Sequence, residues 1–215
     1  MNAPHADTEK LIKDKAKILF FQKGLLKATT QDIADEAGVN RALIHYYFRS
    51  REQMLEILLD ETIREKKERV RGILTSALPF KEKIAMYIDV IVDYGLTYPY
   101  LDNFIISETA GRPEKVKSFC STDRTKSSDL IRDELAAEVK LGRIADISAQ
   151  HFMVNLSSLC HYPLLAKPVL QAIHGMTDSA YRKFLLERKR IIFKTIFNEE
   201  MPDLTGKEPL NKQYT

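Results

Sequence analysis

Apolar residues in the first third of the chain recur every three or four positions, and short polar breaks separate the runs. Ile12, Ala16, Leu19 and Phe20 fall on one stripe of a helix, because side chains at those spacings share a face. This helix is predicted to begin after Asp7 or Thr8, either of which can cap it. Lys23 closes its last turn, and Gly24 suits the left-handed position beyond. Thr29 with Asp32 three residues on has the form of a capping box, opening a short helix whose inner side is Ile33, Ala34 and Ala37. Gly38-Val39-Asn40 breaks it, and Asn40 is a good N-cap for a next helix from Arg41 to about Phe48. Ser50 with Gln53 marks a further start, leading into Met54, Leu55, Leu58, Leu59 and Ile63.

Beyond Gly72 the helices lengthen. The pattern predicts helices over 81–98 (closed by Pro99), 102–110, 148–162, 169–174 and 178–197, with Pro163, Pro168 and Gly175 as breaks. The stretch 114–141 is polar around Ser121-Thr122-Asp123 and reads as one helix or two. No run alternates with the period of two that a half-buried strand requires, so the fold class is all-α. From Pro202 the chain is polar and is expected to be a flexible tail over 202–215.

Composition narrows the function classes. A chain of 215 residues with 44% hydrophobic and 29% charged residues has material for a sizeable core. Its formal charge of +3 is too thinly spread to argue for nucleic acid by itself. Two cysteines, Cys120 and Cys160, make neither a disulfide framework nor a zinc knuckle, and reduced thiols are expected. No signal peptide and no membrane span is read, so the expected location is cytoplasmic, with no membrane partner. No metal site and no cofactor is predicted.

Two short helices joined by a three-residue break containing glycine are the geometry of a helix-turn-helix, whose second helix enters the DNA major groove. Arg41 stands in the first turn of that helix, able to donate to guanine O6 and N7 or to phosphate, and Ala42 is small enough for close approach. His45, Tyr46 and Tyr47 carry polar tips suited to phosphate oxygens. Thr29, Thr30 and Gln31 at one helix start, and Arg49 and Arg51 around Ser50 at another, offer further phosphate contacts. An ordinary helical corner with a solvated face would show the same spacing.

The residues themselves go further. Ala16-x-x-Leu19-Phe20-x-x-Lys23-Gly24, then Thr29-Thr30-x-Asp32-Ile33-Ala34-x-x-Ala37-Gly38-Val39-Asn40-Arg41, then Ile44-x-Tyr46-Tyr47-Phe48-x-Ser50-Arg51-Glu52 closely resembles the signature of the tetracycline-repressor (TetR) family. The match covers about a quarter of the chain. The resemblance implies a helix-turn-helix domain over 1–52 and a helical ligand-binding and dimerisation domain over 53–201. It also implies a homodimer that binds double-stranded operator DNA and responds to an unknown small-molecule effector. By position it makes Arg41 and Ala42 the base-reading pair, with Gln31 and Leu43 as secondary base contacts. Thr30, His45, Tyr46, Tyr47 and Arg51 become phosphate contacts, beside the caps Thr29 and Asn40. His45 departs from the usual aromatic hydroxyl and Leu43 from a small or polar residue; Leu43 suits either a thymine methyl or the core.

In the second domain, Tyr181, Phe184, Leu185, Ile191, Ile192 and Ile196 form a stripe on the last helix. Phe152, Leu156 and Leu159 form another beside Ser157 and Ser158. Both resemble the family's four-helix dimer interface, and both also suit an intrachain core. Candidate effector contacts are Tyr87, Tyr94, Phe104, Ile105, Glu108, Phe119, Met153, Cys160 and His161, apolar groups with a few polar ones. The basic runs 64–67 and 188–190 read as solvated helix faces. The expected activity is a ligand-responsive repressor on a palindromic operator. An activator or global regulator of the same family, or a helical enzyme using Glu108 with His161 or Cys160, are the competing readings.

Overall fold

The computed structural model describes residues 3–114 and 126–205. In chain order the helices are α1 (Ala3–Lys17), α2 (Thr30–Ala37), α3 (Arg41–Phe48), α4 (Arg51–Leu74), α5 (Phe80–Thr97) and α6 (Leu101–Thr109). They continue with α7 (Ser127–Leu130), α8 (Arg132–Lys140), α9 (Ala149–Leu165), α10 (Lys167–His174) and α11 (Asp178–Phe197). No strand occurs among the described residues.

Local chemistry accounts for most of the boundaries. The capping box at Thr29 forms in both directions: its N–H donates to Asp32 Oδ2 at 2.7 Å, and the Asp32 N–H donates to Thr29 Oγ1 at 3.2 Å. Asn40 Oδ1 accepts from the Ala42 N–H at 2.8 Å, and Ser50 Oγ accepts from the Gln53 N–H at 3.1 Å. Helix α1 starts earlier than Asp7 or Thr8, because Pro4 is tolerated in a first turn where no N–H partner exists. After Lys17 the helix widens into a π turn over Ile18–Gln22, closed by the Lys23 N–H on the Ile18 carbonyl at 2.9 Å. A wider turn rotates less per residue, so Leu19, Phe20 and Phe21 can all point inward, and all three are buried.

Pro163 does not break the chain as its type suggests; it lies inside α9. A helical proline leaves the carbonyl four residues earlier without its donor. That carbonyl belongs to Leu159, and Arg188 Nη2 donates to it from α11 at 3.3 Å. The Pro163 carbonyl in turn accepts from the Tyr181 hydroxyl at 2.5 Å. A second helix therefore repairs the first. In the region expected as one helix or two, the described part holds α7 and α8, separated at the buried Ile131.

Helix α5 is the centre of the larger unit, with Lys83 to Ile88 buried in succession. Residues apolar on all faces mark a helix surrounded by others, and α4, α9 and α11 pack around this one. The one cation in that run, Lys83, is held by Glu134 Oε1 at 2.6 Å and the Leu74 carbonyl at 3.3 Å. A separate cluster gathers α1, α2, α3 and the first half of α4 around Phe20, Phe21, Ile44 and Phe48, and it also takes in Leu101 and Phe104 from α6. Each large side chain so buried contributes roughly 1.5–3 kcal/mol of transfer free energy. Helix α4 runs unbroken through residue 52, where the sequence suggested a domain division.

Helices α5 and α9 approach closely at Gly95 of α5, where a Cβ would stand 2.3 Å from the Leu164 side chain of α9. Gly95→Ala is therefore expected to destabilise the fold by about 1–3 kcal/mol through overpacking. Thermal melting checks this, and Leu164→Ala in the same chain should recover part of the lost melting temperature.

Candidate functional site

The turn between α2 and α3 is built by Gly38, whose φ of 64° lies in the left-handed region that glycine adopts without strain. With Asn40 capping the next turn, α3 leaves the corner and lays Ile44 and Phe48 into the head's core. Positions 41, 42, 45 and 46 are one helical face, and Arg41, Ala42, His45 and Tyr46 are all exposed; Tyr46 is 72% exposed. Leu43 and Tyr47 are half-buried against the core's edge. The geometry thus gives Leu43 a packing role alongside any reach to DNA. The Tyr46 and Tyr47 rings meet edge to face at 5.1 Å. His45 Nδ1 donates to the Arg49 carbonyl, 3.2 Å away.

Three residues assigned to phosphate or base contacts are engaged within the head. Thr30 is only 8% exposed, and its hydroxyl accepts from Arg41 Nε at 3.1 Å, holding the Arg41 side chain across the α2–α3 angle. Gln31 is exposed and donates to Asp35 Oδ1 at 2.7 Å. Arg51 is the most extensively engaged of the three. Its guanidinium donates to the carbonyls of Leu26 and Ala28, the latter at 2.6 Å, and stacks 5.3 Å from the Phe20 ring centroid. Arg51 ties the loop before α2 onto α4 and so positions α2 for α3.

A cleft of about 540 Å³ opens between α4, α5, α6, α7 and α9. Of the predicted effector contacts it is lined by Tyr87, Ile105 and His161, while Met153 lines an adjoining depression that shares Tyr87 and His161. Tyr94 instead lies in a small cluster with Ile73, Met86 and Val90, its hydroxyl on Glu65 Oε1 at 2.9 Å. Phe104 belongs to the head's core, against Phe21 at 6.2 Å. Glu108 pairs with Arg112 at 2.9 Å and does not line the cleft. Cys160 is buried in the core, where loss of solvent pushes its thiol up to about 12, so it stays protonated. Phe119 lies outside the described residues.

Sequence reasoning missed the polar network in the cleft wall. Lys66 Nζ donates to Asp102 Oδ1 at 3.1 Å and to His161 Nε2 at 3.3 Å. His161 Nδ1 then donates to the Ser157 carbonyl at 2.9 Å, and Ser157 hydrogen-bonds the Tyr87 hydroxyl. Burial, followed by the neighbouring Lys66 charge, holds the His161 imidazole below its ordinary value and keeps it neutral at pH 7. A run that looked like a solvated face, 64–67, thus places Lys66 inward with 13% of its side chain exposed. The same correction applies to 188–190, where Lys189 sits between Asp89 and Asp93 at 2.6 Å from each. The missed signal was the spacing Ile63, Lys66, Lys67, Val70 and Arg71, which puts cations and aliphatics on one face of α4.

Of the expected interface stripes, Phe152, Leu156, Tyr181, Leu185 and Ile192 are buried in the chain's own core, and Leu159, Phe184 and Ile196 lie half-buried at its edge. Val154 and Tyr162 on α9 and Leu186 and Ile191 on α11 are the large apolar groups that those helices turn outward.

Because Arg51 binds two loop carbonyls, Arg51→Met is expected to keep the stem's packing and leave those carbonyls without donors. The cost should be about 1–3 kcal/mol, read as a lower melting temperature. Arg51→Lys should recover only part of it, since a point charge cannot reproduce the planar fork.

Comparison with known proteins agrees with this architecture. The family model for bacterial regulatory proteins of the tetR family matches residues 12–58. The curated "Probable HTH-type transcriptional regulator YttP" of Bacillus subtilis (strain 168) is 23% identical over 194 residues, 88% of this chain and 94% of that protein. The HTH-type transcriptional regulator BetI of Agrobacterium fabrum is 33% identical over 82 residues, 38% of this chain and 39% of that protein. Among solved structures, a TetR/AcrR-family regulator from Thermobifida fusca has a TM-score of 0.61 at 19% identity, covering 87% of this chain and 97% of the other. The transcriptional regulator FadR of Bacillus subtilis, solved in complex with stearoyl-CoA, has a TM-score of 0.55 at 16% identity, covering 87% and 99%. The head's motif over residues 12–58 is thus similar to that of the tetR family of bacterial regulatory proteins, and the chain is similar over most of its length to a probable HTH-type transcriptional regulator and shares its all-helical fold with solved structures of TetR-family regulators.

Proposed function

We propose that the chain is a ligand-responsive repressor that acts in the cytoplasm as a homodimer, each protomer laying α3 into the major groove of one half of a palindromic operator. The observation that carries this reading is the outward face of α3, where Arg41, Ala42, His45 and Tyr46 stand exposed together while Arg41 is braced by Thr30. On this reading Arg41 and Ala42 meet base edges. His45, Tyr46 and Tyr47 contact the backbone on either side, and Gln31, Thr29 and Asn40 sit where two helix N-termini attract phosphate. The two heads of a dimer span half-sites about 34–36 Å apart, which gives the symmetry its purpose.

The dimer surface in this proposal is the outer side of α9 and α11, carrying Val154, Tyr162 and Ile191 with Phe184 and Ile196 at its margin. The effector site is the cleft behind Lys66. Two helices support a link from cleft to head. Helix α4 is continuous between them, and α6 carries Asp102 and Ile105 into the cleft while Leu101 and Phe104 sit in the head's core. The Tyr100 N–H also donates to the Phe21 carbonyl at 3.1 Å, and the Tyr100 ring lies where a Cβ on Gly24 would stand, about 2.9 Å away. A ligand that displaces α6 therefore acts on the head directly.

Gel-shift titration against DNA upstream of the protein's own gene tests the reading. Binding is expected to be sequence-dependent and to weaken steeply with salt. Arg41→Ala should cost roughly 1–3 kcal/mol at the preferred sequence while leaving non-specific binding nearly intact; equal binding by the variant removes Arg41 from the readers. Ile191, 50% exposed, tests the assembly. Ile191→Glu is expected to sediment as a monomer and to lose operator affinity, and an unchanged dimer would exclude that face.

A further inference from the structure

We infer that His45 reads a base and not the backbone: its Nε2 accepts from the exocyclic amino group of a cytosine or adenine in the major groove. This rests on α3 being the reading helix, as proposed above, and it takes His45 out of the backbone contacts given there.

The ring's own hydrogen bond decides its chemistry. His45 Nδ1 lies 3.2 Å from the Arg49 carbonyl. A carbonyl oxygen only accepts, so the hydrogen of this bond sits on Nδ1. In a neutral imidazole one nitrogen carries the proton and the other keeps a lone pair. Nε2 is therefore an acceptor, and His45 is exposed on the face of α3 that also carries Arg41 and Ala42. A phosphate oxygen accepts as well, so the neutral ring has nothing to donate to it. A phosphate contact would need a second proton on the ring. The partner that a bare Nε2 fits is an amino group on a base edge.

The carbonyl that sets this tautomer is itself held in place. Arg49 has a φ of 57° and a ψ of −50°, and across it the Ser50 N–H donates to the Phe48 carbonyl at 2.5 Å. That is a γ-turn with positive φ on a residue other than glycine, a rare and strained conformation. Such strain persists where neighbouring contacts over-determine the backbone. Here the Arg49 N–H donates to the His45 carbonyl at 3.1 Å while the Arg49 carbonyl takes the His45 ring, so residues 45 and 49 are joined twice. The ring is thereby fixed before any DNA arrives, which spares it the loss of freedom on binding. In the major groove the donors are cytosine N4 and adenine N6, whereas guanine O6 and N7 and thymine O4 are acceptors. Arg41, one turn before His45, carries only donors. Together the two residues present donors and an acceptor to the base edges, a pattern that phosphates could not decode.

The test uses the purified full chain at about pH 8, where an ordinary imidazole is neutral, and the duplex it selects from a randomised pool. Amino groups are removed one at a time, 2-pyrimidinone replacing each cytosine and unsubstituted purine each adenine, and affinity is read by fluorescence anisotropy. At one position per half-site, removal is expected to weaken the wild-type chain about three- to tenfold and to leave His45→Asn unaffected. Whether that position held cytosine or adenine identifies the base. His45→Asn keeps a donor for the Arg49 carbonyl but has no acceptor at the depth of Nε2, whereas His45→Gln carries its amide oxygen at that depth. A base reader is thus rescued by Gln, and a residue that only braces the γ-turn is rescued by Asn. Gln should retain the penalty for amino removal, with the salt dependence of binding equal in all three chains. The inference is overturned by rescue with Asn in place of Gln, or by amino removals that weaken the wild-type chain and His45→Asn alike. It is also overturned if His45→Asn weakens every duplex equally and lowers the salt slope by about one, the mark of a lost phosphate contact. A sequence preference that Arg41→Ala reduces and His45→Asn does not refutes this role and upholds α3 as the reading helix. A pool from which no preferred duplex emerges refutes both.

Discussion

A single 24-residue helix, α4, has to satisfy two cores and a cleft at once. Over its length of roughly 36 Å it places Met54, Leu58 and Leu59 in the head, Ile63, Lys66, Lys67 and Val70 along the cleft, and Ile73 and Leu74 in the packing of the larger unit. A continuous helix transmits rotation and tilt, because its backbone hydrogen bonds leave no hinge between the ends. Whatever orientation the cleft imposes on one half, the head receives through the other.

Helix α6 is the second rigid connection, and it is short enough for one displacement to move both of its faces. Asp102 faces Lys66, while Phe104, three residues from Leu101, packs on Phe21 in the π turn after α1. The contact of Tyr100 with Gly24 and with the Phe21 carbonyl holds this corner against the head. Close-packed interfaces of this kind have few intermediate positions, which favours two alternative arrangements over gradual drift. The network from Asp102 through Lys66, His161 and Ser157 to Tyr87 joins α6, α4, α9 and α5 with each partner satisfied. Its worth lies in fixing one arrangement of the four helices, since buried polar groups left unpaired are costly.

The departures from expectation have a common form. Arg51, Lys66, Arg188 and Lys189 all read as surface cations from their neighbours in sequence, and all four are turned towards partners on other helices. Pro163 reads as a break, and Arg188 supplies the donor that lets α9 continue. In each case the deciding partner lies about 20 to 100 positions away. The apolar stripes on α9 and α11 show the same ambiguity. Phe152, Leu156, Leu185 and Ile192 carry the periodicity of a buried face, and only the packing shows that this face is turned into the chain's own core.

Read alone, the chain's pattern determined the all-helical class, the bounds of α2, α3 and α11, the capping residues Thr29, Asn40 and Ser50, and the corner that presents Arg41, Ala42, His45 and Tyr46. These are legible because caps, glycine turns and helical faces are settled among residues within about four positions of one another. The tertiary structure alone decided the cleft, the pairing of Lys66 with Asp102 and His161, the inward role of Arg51, and the removal of Tyr94, Phe104 and Glu108 from the cleft's lining. Lys66 and His161 stand 95 positions apart, and no local periodicity relates them. Their meeting follows from how four helices cross, a geometry set by the summed packing of the core and by no single segment of it.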